Sequence, residues 1–219
     1  MHRSVYLAGM NRPVMLAVAL AFAPVAGGAH PHMFVDADLR LEVDSEGRIT
    51  AIEVTWTYDD FSSLMILEDR GLDPDGDAVL TKRELAELRG FDLEIWPEDF
   101  EGDVYLRNDE ATAQIGLPQA TGIAVEDAKI VASHRREVEP FPAEGTVIET
   151  YDPTFFVAYT LKSVKLPERC EAPIEPVDVE EAGRKVQELV GEVDEMTFEV
   201  MEVGHLYADK ARIACAASS

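Results

Sequence analysis

From Met33 to Val43 apolar and polar positions alternate: Met33, Val35, Ala37, Leu39, Leu41 and Val43 are separated by Asp36, Asp38, Arg40 and Glu42. A period of two predicts a half-buried strand. The turn residues Asp44-Ser45-Glu46-Gly47 and a second alternation through Ile52, Val54 and Trp56 predict that Ile49 to Thr57 returns as its antiparallel partner. The period then changes. Phe61, Leu64, Met65 and Glu68 stand at helical spacing behind Asp59 and Asp60, whose charge suits the N-terminal end of a helix dipole, so a helix is expected from Asp59 to Arg70. Beyond an acidic loop, Thr81 is placed to cap a second helix that carries Leu85 and Leu88 and stops at Gly90.

Short strands are expected next, over Asp92 to Trp96, Asp103 to Arg107, Ala111 to Ile115, Ile123 to Val138, Thr146 to Tyr151 and Phe155 to Leu161, punctuated by Gly, Pro and Asn-Asp. A link containing Pro167, Pro173 and Pro176 leads to a helix capped by Asp178, with the stripe Val179, Ala182, Val186, Leu189 and Val190 and a stop at Gly191. One or two final strands are expected over Thr197 to Val203 and Lys210 to Cys215. The pattern predicts an α+β fold: a mainly antiparallel β-sheet with an inserted EF-hand-like helix-loop-helix at about residues 59–90 and one C-terminal helix. Residues 30–219 read as a single domain.

The chain has 219 residues and 47% hydrophobic content, enough for a buried core. Its 43 acidic residues against 19 basic ones leave a net charge of -24, which repels nucleic-acid phosphates and anionic membrane surfaces. Such a surface attracts cations; an acidic surface with no specific ligand is the alternative. Residues 1–29 read as a signal peptide. His2, Arg3 and Arg12 precede the apolar run Val14 to Val25, and small residues follow at Ala26-Gly27-Gly28-Ala29. The run of about 12 residues is short of the roughly 20 that a spanning helix needs. Cleavage after Ala29 satisfies the small-residue rule, with cleavage after Gly28 and an uncleaved anchor as the alternatives. The mature protein is expected to be soluble and periplasmic or secreted, where Cys170 and Cys215 would pair; a disulfide closing that loop contributes roughly 4 kcal/mol, and two free thiols are the other reading.

The strongest motif runs from Asp73 to Glu84. It places carboxylates at Asp73, Asp75, Asp77 and Glu84, an apolar residue at Leu80 and a hydroxyl at Thr81, and so resembles a calcium-binding EF-hand loop. A hard cation takes six or seven oxygens, so Ca2+ is the expected cofactor, held by those side chains and the Val79 carbonyl. Ala78 replaces the glycine of that family at a position needing positive φ, at a cost of roughly 1 kcal/mol. A solvated acidic turn that caps the second helix is the rival reading. A second constellation lies at the mature N-terminus, where His30, its α-amine and His32 can chelate one transition metal (Ni2+, Co2+, Zn2+ or Cu2+), while Pro31 blocks the mode that uses backbone nitrogens. His134 and His205 read as satisfied structural residues. The sequence holds no nucleophile elbow, phosphate loop, dinucleotide fingerprint or zinc-protease motif, and an enzyme is not expected.

Five segments together resemble one bacterial family. They are His30-Pro31-His32-Met33-Phe34-Val35-Asp36-Ala37, Trp56-Thr57-Tyr58-Asp59-Asp60-Phe61, the acidic loop, Tyr151-Asp152-Pro153-Thr154-Phe155-Phe156-Val157, and Val203-Gly204-His205-Leu206-Tyr207-Ala208-Asp209-Lys210. The family is domain-of-unknown-function family 1007, described as an uncharacterised ABC-type transport-system periplasmic component. The resemblance implies a periplasmic accessory of divalent-metal transport, with an inner-membrane metal transporter as partner. His30 and His32 match its N-terminal motif. A calcium-stabilised structural or protein-interaction module of the cell envelope is the alternative, and a copper oxidase built on His30 is a more distant one.

Overall fold

The computed structural model describes residues 31–97, 100–109, 111–191, 197 and 200–216. Strands β1 (Met33–Val43) and β2 (Arg48–Tyr58) pair antiparallel, with Ala37 opposite Trp56 and Leu39 opposite Val54. The alternation has its expected effect: Val35, Ala37, Leu39 and Leu41 are buried while Asp36 and Arg40 stay at the surface. The segment expected as one strand over Ile123 to Val138 is instead part of a hairpin of β5 (Gln119–Glu126) and β6 (Lys129–Pro142). Its two-residue turn, Asp127 and Ala128, takes φ of 50° and 63°, a geometry that matches the twist of the flanking strands. No glycine marks this turn.

β6 pairs with β2, and β8 (Val157–Lys165) pairs with β1 in parallel, giving a sheet of order β5-β6-β2-β1-β8. A second five-stranded sheet contains β3 (Val104–Asn108), β4 (Ala111–Thr112), β7 (Val147–Thr150), β10 (Ile174–Glu175) and β11 (Lys210–Arg212) in the order β10-β11-β7-β3-β4. Val54 and Ile130 of the first sheet and Leu106, Ile148 and Ala211 of the second share one hydrophobic core. A short ribbon of β9 (Cys170–Glu171) and β12 (Ala214–Cys215) carries a disulfide between Cys170 and Cys215, which face each other in its register.

The expected fold class is therefore corrected. The molecule is mostly β, and its larger sheet is mixed, because the parallel β1/β8 pairing joins segments whose relation no local pattern reveals. Among the described residues the helices include α1 (Asp60–Asp69), α2 (Lys82–Leu88) and α3 (Val179–Val190). α3 has the expected Asp178 cap and Gly191 stop, and β11 and β12 follow it within the span Lys210 to Cys215 where a final strand was expected, so the helix is not the C-terminal element. Residues 91–93 form a single 3-10 turn where a strand over Asp92 to Trp96 was expected, and no strand lies over Thr197 to Val203 among the described residues.

The inserted EF-hand-like helix-loop-helix is corrected as well. α2 has only seven residues, and α1 turns Ser62, Ser63 and Leu67 inward in place of the expected stripe. A stripe such as Phe61, Leu64 and Met65 ordinarily marks a buried face. Here those residues are exposed, and Ser62 and Ser63 are buried at 4% and 0% exposure. The reason lies in the sheet beneath. The β2/β6 ladder ends at Thr57 and Val131; one residue further, the Ser63 hydroxyl accepts the Ile130 amide hydrogen at 2.9 Å and donates to the Tyr58 carbonyl. Buried backbone groups must find partners, and here the Ser63 hydroxyl provides one for each.

Candidate functional site

The acidic loop is fixed from its first residue. The Asp73 carboxylate accepts the amide hydrogens of Asp77 (3.2 Å) and Ala78 (3.0 Å), and Asp77 accepts that of Val79 (2.8 Å). These bonds curl the chain so that Asp73, Asp75 and Asp77 each bring one carboxylate oxygen to within 4.8 Å of the others. Ala78 does adopt the positive φ anticipated for its position, 58°, beside Gly76 at 69°.

Glu84 and Thr81 make a reciprocal capping box at the start of α2. The Glu84 carboxylate accepts from the Thr81 amide (2.8 Å) and hydroxyl (2.7 Å), while the Thr81 hydroxyl accepts from the Glu84 amide. The second Glu84 oxygen accepts the Asp73 amide hydrogen at 3.3 Å, so this carboxylate also ties the two ends of the loop together. The Thr81 bonds hold its pKa below the ordinary carboxylate value. The Val79 side chain is exposed. Of the six residues expected to ligate calcium, the structure thus gathers three aspartates, with Glu84 and Thr81 engaged with each other at the loop's far end.

His30 lies outside the described residues. The His32 ring packs 4.8 Å from Phe156, and its backbone amide donates to the Phe156 carbonyl. The Tyr151 to Val157 and Val203 to Lys210 segments, quoted above as motifs, meet each other. The Phe155 and Tyr207 rings stack at 3.9 Å, and the Gly204 amide donates to the Pro153 carbonyl. A Cβ on Gly204 would fall 1.7 Å from the Asp152 carbonyl oxygen, so this approach admits only glycine.

A second polar cluster, not anticipated from sequence, lies on the inner face of the first sheet. The Tyr159 hydroxyl donates to Asp103 at 2.9 Å, and burial pushes the Asp103 carboxyl up to about 7 against that hydrogen bond. Burial likewise raises Asp92, beside Tyr58, to about 6. His134 is fully buried, edge-on to Trp56, and neither ring nitrogen has a hydrogen-bond partner among the described residues. Burial, with the Arg136 charge adding to it, lowers its pKa to about 3, so the ring is neutral. His134 is a structural residue but not a satisfied one. Arg136 separates this cluster from an open pocket of about 600 Å³ lined by Trp96, Phe100 and Tyr105. Its guanidinium lies 5.1 Å over Trp96 and donates to the carbonyls of Gly116, Glu101 and Ile115. The only sequence signal was that His134 and Arg136 share the inward parity of β6.

A family described as "protein of unknown function (DUF1007)" matches residues 15–215, and the chain belongs to it. No curated protein matches its sequence. Among solved structures, acetylcholine-binding protein type 1 of Biomphalaria glabrata is similar at 10% identity and a TM-score of 0.32, covering 88% of this chain and 90% of its own. A likeness that weak carries no argument about this protein. Among the described residues no helix is long and apolar enough to cross a membrane.

Proposed function

We propose that the protein is a non-enzymatic accessory of divalent-metal transport, working outside the cytoplasm, that holds calcium between Asp73, Asp75 and Asp77. The observation carrying this reading is the convergence of those three carboxylates to within 4.8 Å. Like charges so close repel one another, and a hard cation with oxygen preference relieves the repulsion. The backbone hydrogen bonds to Asp73 support the reading, because they set the loop's shape through protein groups alone. The Cys170–Cys215 disulfide supports an oxidising compartment. The resemblance to a periplasmic transport component supports an inner-membrane transporter as partner, with His30 and His32 presenting Ni2+, Co2+, Zn2+ or Cu2+ to it.

A second reading, a calcium-stabilised interaction module of the cell envelope, is favoured by the exposed apolar face of α1 directly before the loop. Native mass spectrometry of the exported protein with Ca2+, Zn2+, Ni2+ and Cu2+ separates the two. The transport reading expects one calcium adduct, lost in D75A/D77A, and one transition-metal adduct, lost in H30A/H32A. Calcium alone leaves the interaction module. The absence of both adducts overturns the proposal.

A further inference from the structure

We infer that the outward face of α1 is a docking surface for a basic, amphipathic helix of a partner protein. The inference is independent of any bound metal. Phe61, Leu64 and Met65 are 68%, 56% and 40% exposed, and they occupy one side of the helix at the spacing that places side chains next to each other. Phe34, 55% exposed, is tied through its backbone to the start of the same helix. Its amide donates to the Asp59 carboxylate at 2.9 Å, and the Phe61 amide also lies against that carboxylate, so the two phenylalanines flank one residue. Contiguous apolar surface of this kind is uncommon unless something covers it.

The arrangement is not a by-product of poor patterning. Ser63 is held inward by its bonds to Ile130 and Tyr58, and Ser62 by its bond to the Asp59 carboxylate. With Ser62 and Ser63 anchored and Leu67 buried in the core beside them, the side carrying Phe61, Leu64 and Met65 has to face outward. A helix that needed only to close this end of the sheet would serve with polar residues at 61, 64 and 65.

Charge selects the occupant. Asp60 and Glu68 stand one helical turn before and after Leu64, bracketing the stripe, and Asp69 is exposed beside them. The basic groups near this rim are already paired among the described residues: Lys129 faces Asp60 at 3.5 Å, and Arg70, the C-cap of α1, is bonded to both oxygens of Glu94. A second copy of the chain or an anionic bilayer would bring like charge to this rim, on a protein already at -24. An uncharged apolar partner would desolvate the carboxylates without pairing them. A helix with an apolar stripe bordered by Lys or Arg answers both the centre and the rim.

The probe is a fluorescein-labelled amphipathic peptide of about 18 residues, leucine on one face and lysine on the other, titrated by anisotropy against the exported protein. Binding is expected for the wild type and weakened about ten-fold or more in F61S/L64S, whose changes are at exposed positions. D60N/E68Q, which leaves the apolar face intact, is expected to weaken binding about three-fold and to flatten its salt dependence. A peptide with glutamate in place of lysine should not bind. Equal affinity of wild type and F61S/L64S overturns the inference, since general charge attraction then explains the binding. So does a dimer in sedimentation that only F61S/L64S abolishes, or sedimentation with neutral phosphatidylcholine vesicles that the same variant abolishes.

Discussion

The Tyr159 hydroxyl reaches across the inner face of the larger sheet to a carboxyl oxygen of Asp103, 2.9 Å away and shielded from solvent. Because burial raises Asp103 from an ordinary value of 3.8 to about 7, the folded protein retains a proton that the unfolded chain gives up. Its favourable contribution is complete below about pH 4 and is lost as the pH rises through about 7. In D103N the urea midpoint should no longer fall across that window. Above it the variant should gain on the wild type by on the order of 4 kcal/mol.

His134 works in the opposite direction. Its folded pKa of about 3 lies below the ordinary 6.5, so the stability it permits is present above about pH 6.5 and is lost as the pH falls toward 3. H134F keeps a ring against Trp56 and removes two unpartnered nitrogens. It should unfold at a higher urea concentration than the wild type near pH 4 and change little near pH 8. In the wild type the His134 slope opposes those of Asp103 and Asp92 between about pH 4 and pH 6, so H134F should fall more steeply with rising pH than the parent and D103N less steeply.

Ala78 holds a φ of 58°, a region costly for any residue with a Cβ. A78G should stabilise the protein by about 0.5–1 kcal/mol in thermal unfolding, or tighten calcium binding by a corresponding few-fold where that strain is felt only in the loaded loop. D75A/D77A should remove any calcium-dependent rise in melting temperature while leaving the metal-free melting temperature within a few degrees of the wild type.

Reduction of Cys170–Cys215 opens a loop spanning 45 residues. The expected loss is about 3 to 4 kcal/mol, read as a lower denaturant midpoint for C170A/C215A and for the wild type in reductant. In G204A a side-chain carbon would meet the Asp152 carbonyl, so the turn containing Phe155 and the segment containing Tyr207 should separate. A fall of several kcal/mol in stability, with loss of protection from exchange for the Gly204 amide, is the expected signature.

Local patterns were readable where the structure is local. The β1/β2 hairpin follows from alternation, α3 from its Asp178 and Gly191 signals, and the gathering of Asp73, Asp75 and Asp77 from their spacing. Three features escaped for physical reasons. The Asp127–Ala128 turn uses positive φ without glycine, so the hairpin looked continuous. α1 was legible as a helix, but which side faces inward depends on Ser63 answering an amide at Ile130, 67 residues away. The cluster around Asp103, Tyr159 and His134 exists only once two sheets are assembled, and no motif joins those positions.

The parallel seam between β1 and β8 also bears on how the molecule is made. Asp38 in β1 accepts a hydrogen bond from Ser163 in β8, across a separation of 125 residues. The first strand to emerge has one partner at once, in the adjacent hairpin, and waits for the other until most of the polypeptide is available. Closing so large a loop is slow relative to hairpin formation. A chain threaded through a membrane from its N-terminus would therefore arrive with β1 open along one edge, and only delivery of the segment around Ser163 would seal it.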